Sequence, residues 1–359
     1  MKILVAANFD IGLYKFRKEL LQELINNGNE VFISLPNGDL IQPLTDIGCK
    51  FIDTNIDRRG VNPFKDFGLI LNYKKIIKRL NPDLVITYTI KPNIYMGTLC
   101  RHRKTPYVIN ITGLGSAFQT DGIILKAFVG LYKIACKKAH TVIFENCENM
   151  QTFKNYGIVK DEQCLLNNGA GVNLSEYPFT PYPSDKQIRF LFIGRIMKEK
   201  GIDELINAAS RIKKEYNNVY FDVVGRFEDD YEAKLQELSK EGVFNYYGFH
   251  NDVKPFIEKA HCFVLPSWHE GMANTNLECG AMGRPIITSN IHGCLEAVKD
   301  DETGYLVEPK NADDLYEKLK KFIELPYDEK AKMGQASHNH VAEVFDKKKV
   351  VEKTIERLF

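Results

Sequence analysis

Short apolar runs alternating with helix-length amphipathic segments, twice over, constrain this chain more than any other feature. KILVAA, EVFISL, KFIDT, DLVITYT, TPYVINIT and TVIFEN are strand-like, while FRKELLQELINNG, closing at Gly28, and FGLILNYKKIIKRLN are helix-like. Strands that are apolar nearly throughout, with room for a crossover helix between them, belong to a parallel sheet buried on both faces. Around NNGAGVNLSEYPFTPYPSD the pattern stops, and Pro178, Pro181 and Pro183 follow closely on Gly169 and Gly171, the composition of a linker. A second series then begins: IRFLFIG, DELINAASRIKKEY, VYFDVVG, YEAKLQELSKEG, FNYYGF, DVKPFIEKA and HCFVLPS. It ends with the helix NTNLECGAMG, the strand RPIITSN and the helix ADDLYEKLKKFIELP. The expected fold is α/β, two Rossmann-like domains facing across a cleft, and 359 residues suit two such cores. The boundaries read as 1–172, a linker at 173–187, a second domain at 188–343, and a last helix within 344–359 that crosses back to the first domain. Ligands of such folds lie at the carboxyl ends of the strands, here in the crevice between the two copies.

No run of about 18 apolar residues occurs, so no transmembrane helix is expected. MKILVAANFD turns polar too soon for a signal peptide and reads as a buried first strand. The eight cysteines (Cys49, Cys100, Cys136, Cys147, Cys164, Cys262, Cys279 and Cys294) include no C-x-x-C pair. That excludes a zinc ribbon or thioredoxin-like motif and fits reduced thiols in the cytoplasm. Net charge is +1, yet residues 1–175 hold 22 Lys+Arg against 15 Asp+Glu, and the remainder 26 against 32. A basic first half and an acidic second half imply different partners. Nucleic acid, an anionic membrane surface and a phosphorylated acceptor all suit the basic half. Nucleic acid is the weakest of these, because no recognisable reading motif accompanies the excess.

The sharpest chemistry lies in the second half. IRFLFIG runs into Gly194-Arg195, and Lys200-Gly201 stands just before the next helix. Two cations at a strand-to-helix junction, beside helix N-terminal amides, can hold a diphosphate; the plainer alternative is a pair of surface charges. Glu270 and Glu278 stand eight positions apart in HEGMANTNLE, with Glu270 at the carboxyl end of the preceding strand. If both share a helix face, one carboxylate meets a sugar and the other a ribose diol. Gly271 and the residues after it then offer amides to a phosphate.

The motifs G-R-x₄-K-G, P-S-x₂-E-G-x₆-E, G-R-P-I-I-T-S and G-C-L-E-A-V, in that order, resemble the retaining glycosyltransferases of family 4, which have the GT-B fold. That resemblance implies that Arg195 and Lys200 hold the donor pyrophosphate, that Glu270 contacts the transferred sugar and that Glu278 contacts the ribose. It makes Glu270, Arg195 and Lys200 the catalytic set. Gly194, Gly225, Arg226, Tyr247 and Gly248 are then expected beside the nucleotide, and Gly271, Met272, Ala273, Asn274 and Thr275 beside the sugar hydroxyls and β-phosphate. In the first half, NFDIGLYKFR resembles the loop after the first strand, with Gly12 near the donor and Arg17 opening a helix. TYTIKPNIYMG and NITGLGSAF resemble a bacterial subgroup that builds capsule, O-antigen and lipid-linked oligosaccharides, often from UDP-N-acetylhexosamines. The acceptor residues implied are Arg17, Lys91, Asn93, Asn110, Thr112 and Gly113. A structural turn at KPN, with Lys91 in solvent, is the alternative for that motif. Many family members carry a histidine near the sugar, where this chain has Asn110 and Thr112, so no mechanism is built on an imidazole; His269 and His292 read as structural.

The expected activity is retaining, metal-independent transfer from a UDP-sugar to a glycan acceptor linked to polyprenyl diphosphate. No cofactor is expected, since the fixed cations replace a metal and no D-x-D pair is present. The stretch LKAFVGLYKIACKKAH, with Lys126, Lys133, Lys137 and Lys138, reads either as a basic amphipathic helix on the inner face of the cell membrane or as a half-buried helix with a solvated edge. An epimerase or phosphorylase of the same fold, and a non-catalytic sugar-nucleotide scaffold, are the rival readings. A nicotinamide dehydrogenase is disfavoured, because Gly113-Leu114-Gly115 lacks a third glycine, with Phe118 in its place.

Overall fold

All thirteen strands among the described residues pair in parallel, in two sheets. The computed structural model describes residues 1–57, 63–115, 118, 122–184 and 186–359. Positions 116 and 117 of NITGLGSAF, and Asp185 in the segment read as a linker, lie outside the described residues. The chain divides into two compact units, Met1–Ala170 with Lys348–Phe359, and Gly171–Lys347.

The first unit runs β1 (Lys2–Ala6), α1 (Asp10–Asn26), β2 (Glu30–Leu35), α2 (Ile41–Asp46), β3 (Lys50–Asp53), α3 (Pro63–Leu80) and β4 (Leu84–Tyr88). A π-helical turn, Pro92–Met96, leads into α4 (Gly97–Arg103), followed by β5 (Tyr107–Ile111), α5 (Ile123–Cys136), β6 (Thr141–Phe144), α6 (Cys147–Asn155) and β7 (Cys164–Leu166). The sheet order is β3-β2-β1-β4-β5-β6-β7. Buried residues of α3, α4, α5 and α6 form the core on one face, and those of α1 and α2 the core on the other. Crossover helices must lie on the faces of a parallel sheet, which explains strands such as β4 and β5 with every residue buried.

The second unit runs β8 (Ile188–Ile193), α7 (Ile202–Glu215), β9 (Val219–Val224), α8 (Glu232–Lys240), β10 (Phe244–Tyr246), α9 (Lys254–Lys259) and β11 (Cys262–Leu265). Then come α10 (Asn274–Ala281), β12 (Ile286–Ser289), β13 (Gly304–Val307), α11 (Ala312–Glu324) and α12 (Tyr327–Val344), with sheet order β10-β9-β8-β11-β12-β13. The last helix, α13 (Lys347–Leu358), belongs with the first unit from Lys348 onward. There Val351 and Leu358 join the core with α1, and Thr354 receives a hydrogen bond from the Asn167 amide at 2.8 Å.

Three elements differ from the sequence reading. Helix α1 begins at Asp10, so Arg17 lies two turns inside it and does not open it. The Asp10 carboxylate accepts the Ile11 amide at 2.8 Å and the Leu40 amide at 2.9 Å, an acidic first turn that suits a helix start. Helix α12 is absent from the sequence reading, because its buried face mixes Lys330, Ser337 and His340 with Met333, Gly334 and Val341 and shows no continuous apolar stripe. A Cβ on Gly334 would overlap the Gly283 carbonyl, and one on Gly280 of α10 would crowd Val341 and Ser337. The proline-rich segment packs as part of the second unit. Arg284, with no exposed surface, donates to the Thr180 hydroxyl at 2.5 Å and to the carbonyls of Pro181 (3.2 Å) and Ile257 (2.8 Å). Burial lowers the Arg284 pKa to about 10.

Candidate active site

In the second unit the carboxyl ends of β8, β9 and β10 close in a row of glycines. The Gly225 amide donates to the Gly248 carbonyl at 2.8 Å, and a Cβ on Gly225 would overlap the Gly194 carbonyl. Backbone approaching this closely leaves a smooth floor next to Arg226, whose guanidinium stacks 3.8 Å from the Phe249 ring centroid. The Tyr247 hydroxyl donates to Asp222 at 3.4 Å, which turns that side chain along the sheet end.

The turn from β8 into α7 carries Arg195 and Lys200. Arg195 is exposed and Lys200 half-buried. Gly201 follows with φ +71°, where a Cβ would overlap the Pro266 carbonyl, so the turn lies directly against the end of β11. Trp268 fastens it there, its amide donating to the Glu199 carbonyl at 2.9 Å and its indole to Glu204 at 3.2 Å. This contact brings Lys200 onto Glu270: ammonium and carboxylate form an ion pair, and the Ser267 hydroxyl donates to the same carboxylate oxygen at 2.8 Å. Both side chains of the pair keep less than a fifth of their surface exposed, which strengthens their attraction and fixes their direction.

Glu270 and Glu278 do not share a helix face. Residues 271–273 are not helical, and α10 starts only at Asn274. Glu278 instead meets Tyr177, whose hydroxyl hydrogen-bonds to it; burial first, and the Glu278 charge second, push that phenol far above its ordinary range. Met272 and Ala273 turn their side chains inward, and the Ala273 amide is committed to the Gly293 carbonyl at 2.7 Å. Asn274 and Thr275 occupy the first turn of α10, where a helix leaves amides without intrahelical acceptors. The side chain of Asn274 donates to the Met272 carbonyl at 3.3 Å.

In the first unit a second cluster gathers at the carboxyl end of β4. Thr89 has φ +72°, a strained backbone for a β-branched residue, and the π-helical turn follows at once. Lys91 donates to Asp66 at 2.6 Å, and the Tyr95 hydroxyl donates to the other oxygen of that carboxylate at 3.0 Å. Burial, then the Asp66 bond, push the Tyr95 phenol up to about 12. A cleft of about 500 Å³ opens beside Asp66, lined among the described residues by Asn55, Asp57, Lys65 and Asn72 in particular. Asn93 and Asn110 are framework here: Asn93 is 1% exposed and donates to the Asn110 carbonyl at 2.8 Å, and Asn110 donates to the Thr87 carbonyl at 3.2 Å. Thr112 and Gly113 follow β5, with Gly113 at φ +153°. Arg17 is ion-paired with Glu145 and stacked 5.0 Å from the Tyr88 ring centroid. Burial opposes its charge, but Glu145, with Tyr88 and Glu19, outweighs that and the net shift of the guanidinium is upward. Gly12, in the first turn of α1, lies under the Phe9 ring.

The sequence reading does not single out Ser267, Tyr177, Trp268, Asp66 or Glu145. Ser267 stands inside a motif whose legible signal is its pair of glutamates. The other four carry no spacing signal, since each meets its partner only through the fold.

Two parallel α/β units, with cations and a paired glutamate at the strand ends of the second, match the GT-B fold of solved glycosyltransferases. Among solved structures, Anabaena Alr3699/HepE in complex with UDP-glucose superposes with a TM-score of 0.82 at 17% identity, covering 100% of this chain and 99% of that one. Residues 176–340 match the model of the glycosyl transferases group 1, and residues 2–146 that of the glycosyl transferase 4-like family. The N,N'-diacetylbacillosaminyl-diphospho-undecaprenol alpha-1,3-N-acetylgalactosaminyltransferase of Campylobacter jejuni is 30% identical over 355 residues, 94% of this chain and 93% of that protein. A second transferase of that organism, the N-acetylgalactosamine-N,N'-diacetylbacillosaminyl-diphospho-undecaprenol 4-alpha-N-acetylgalactosaminyltransferase, is 26% identical over 92% of this chain and 91% of its own. The chain belongs to glycosyltransferase family 4, in the group that assembles bacterial glycans.

Proposed function

We propose that this glycosyltransferase moves an N-acetylhexosamine from its UDP-sugar to a glycan carried on polyprenyl diphosphate, with retention and without a metal, at the cytoplasmic face of a membrane. The observation that carries the donor half is the Lys200–Glu270 pair, held by Ser267 at the ends of β8 and β11. It couples a cation suited to the diphosphate to a carboxylate suited to the sugar. Arg195, Lys200 and the first amides of α7 and α10 stabilise the charge that grows on the leaving diphosphate, commonly the largest contribution in such sites. The acceptor hydroxyl attacks the anomeric carbon on the side of the leaving group. The new glycosidic bond forms as the bond to the β-phosphate oxygen breaks, and the hydroxyl proton passes to that oxygen. Glu270 orients the sugar and balances its positive charge. In the first unit, Lys91 with the amide- and carboxylate-lined cleft beside Asp66 offers the mixture of groups that recognises sugar hydroxyls and a phosphate. The relatives named above act on undecaprenyl-diphosphate-linked acceptors, which supports the same acceptor class here.

The test is a transfer assay in detergent with UDP-GalNAc and UDP-GlcNAc, each offered to short polyprenyl-diphosphate-linked mono- and disaccharides, with and without EDTA. The expected product has the α-configuration of the donor, at a rate EDTA leaves unchanged. A β-linked product would overturn retention, loss of rate in EDTA would overturn metal independence, and UDP release only to water would overturn the acceptor class.

A further inference from the structure

Of the four motifs in the second unit, G-C-L-E-A-V, residues 293–298, supplies none of the donor residues named above. It lies between β12 and β13 and packs against the segment that carries Glu270. Gly293 has φ +91°, and a Cβ there would meet the carbonyl oxygens of Glu270 and Gly271, each at 2.8 Å, and the Glu270 Cβ at 2.9 Å. Its own carbonyl takes the Ala273 amide at 2.7 Å. One residue without a side chain thus seats the backbone from 270 to 273, ahead of the first residue of α10. Cys294, with no exposed surface, lies close enough to feel both members of the Lys200–Glu270 pair. Burial first, and the Glu270 charge second, push its thiol well above the ordinary range, while a bond with Thr288 and then Lys200 pull the other way. Gly293 is held in turn by Glu296. That carboxylate reaches back three residues, and its Oε2 accepts the Gly293 amide at 2.7 Å. Its Oε1 stands 2.8 Å from His292 Nδ1, and the Glu296 carbonyl stands 2.9 Å from His340 Nε2 on α12, so side chain and main chain are both fixed.

We infer that Glu296 is a positioning residue for transfer: through Gly293 it fixes the backbone from Glu270 to Ala273, and so the direction of the Glu270 carboxylate toward the sugar. Lys200 and Ser267 hold Glu270 at the end of its side chain, and Glu296 holds it at the main chain, by way of one amide and one glycine. Rates fall steeply when a group that orients substrate is misplaced by as little as about 1 Å, so a support of this kind reaches the chemistry without touching it. The charge of Glu296 is secondary, since what the Gly293 amide needs is an acceptor oxygen on a side chain of this length. The inference rests on the reading of Glu270 as the residue that orients the sugar.

The experiment measures single-turnover transfer from UDP-N-acetylhexosamine to polyprenyl-diphosphate-linked acceptors in detergent, beside UDP titration, with the full chain. Wild type is compared with Glu296→Ala, Glu296→Gln, Glu270→Gln and the double variant Glu296→Ala/Glu270→Gln. Glu296→Ala is expected to lower the rate by about tenfold or more, with Kd for UDP changed by less than about threefold. Glu296→Gln, whose amide oxygen can take the Gly293 amide, should stay within about threefold of wild type. The double variant should be no more than about twofold slower than Glu270→Gln alone, because a residue that acts through Glu270 then has nothing left to position. A normal rate in Glu296→Ala, a Gln variant as slow as the Ala variant, or losses that multiply in the double variant would each overturn the inference. So would a loss of UDP affinity in Glu296→Ala as large as its loss of rate, since Glu296 would then support the second unit at large. Failure of the underlying reading looks different: Glu270→Gln itself would transfer at a near-normal rate, or wild type would transfer to no acceptor, and the inference would fall with it.

Discussion

Glu270 shows how a single side chain acquires chemistry from its neighbours. Lys200 and Ser267 both hold the same carboxylate oxygen, so its direction is set before a donor arrives. Replacing it by Gln keeps the size and removes the charge that, in the proposed mechanism, balances the sugar in the transition state. Glu270→Gln is expected to lower kcat by about 10²–10³-fold, with Kd for UDP changed much less. Single-turnover transfer beside calorimetric UDP titration checks this, and near-normal kcat would remove Glu270 from the mechanism. His261 illustrates a buried side chain whose protonation opposes the fold. Its Nδ1 accepts the Arg189 amide at 3.2 Å and its Nε2 lies 2.9 Å from the Ser184 carbonyl, an arrangement that suits the neutral ring with hydrogen on Nε2. Burial holds its pKa below the ordinary 6.5. The unfolded chain therefore takes up a proton that the folded chain refuses, so this contribution to stability is intact above 6.5 and is lost as pH falls toward the folded-state value. His261→Gln removes the titration. The stability gap between wild type and variant in urea should shrink from about pH 7.5 to about pH 5.5, and a gap that widens would contradict the assignment.

At the scale of elements, what the sequence disclosed and what it hid have separate physical causes. Periodicity reveals the strands and most helices because a parallel sheet needs apolar strands and half-apolar helices. It misses α12, whose buried face interrupts Met333 and Val341 with Lys330, Gly334, Ser337 and His340 and so leaves no apolar stripe to read. It places the start of α1 too late, since the acidic Asp10 marks that start more weakly than an apolar residue would. The motif spacing puts Arg195 and Lys200 between β8 and α7, Glu270 after β11 and Glu278 on the following helix, but does not show that Lys200 meets Glu270. The Glu270–Lys200 contact arises from Gly201 lying against Pro266, a tertiary fact that no spacing encodes. Helix α13 is legible as an isolated amphipathic segment, and its seat on the first unit depends on contacts from distant residues. Lys353 and Arg357 donate to the carbonyls of Leu166 and Glu162 at 2.8 and 2.6 Å, while Val351 and Leu358 complete the core beside α1. Truncation after Lys347 removes all of these and should destabilise the first unit by on the order of 5 kcal/mol. Because the truncation leaves the second unit whole, UDP affinity should survive. Urea unfolding beside UDP titration decides it, and joint loss of both would mean that α13 supports the second unit as well.

At the scale of the whole chain, charge divides along the two units more sharply than along the sequence. Because α13 returns to the first unit, that unit carries 26 Lys+Arg against 17 Asp+Glu, and the second carries 22 against 30. The second unit must bind a nucleoside diphosphate against its own net negative charge, so its affinity rests on a few placed groups, among them Lys200 and the helix-start amides. The anionic acceptor proposed above would meet the first unit through a field spread over many exposed side chains. Salt treats these differently: the screening length falls from about 10 Å at 0.1 M to about 3 Å at 1 M, which removes a diffuse field before it removes close, half-buried contacts. Screening also relieves the repulsion between UDP and the second unit, which offsets part of the loss there. Raising sodium chloride from about 0.05 to about 0.5 M should therefore raise KM for a diphosphate-linked acceptor by roughly tenfold and change Kd for UDP by less than about threefold. Initial rates with a detergent-dispersed acceptor, beside UDP titrations at the same salt, measure the two slopes separately. Equal slopes would mean that local contacts govern both ligands and that the asymmetry of charge between the units plays no part in recognition.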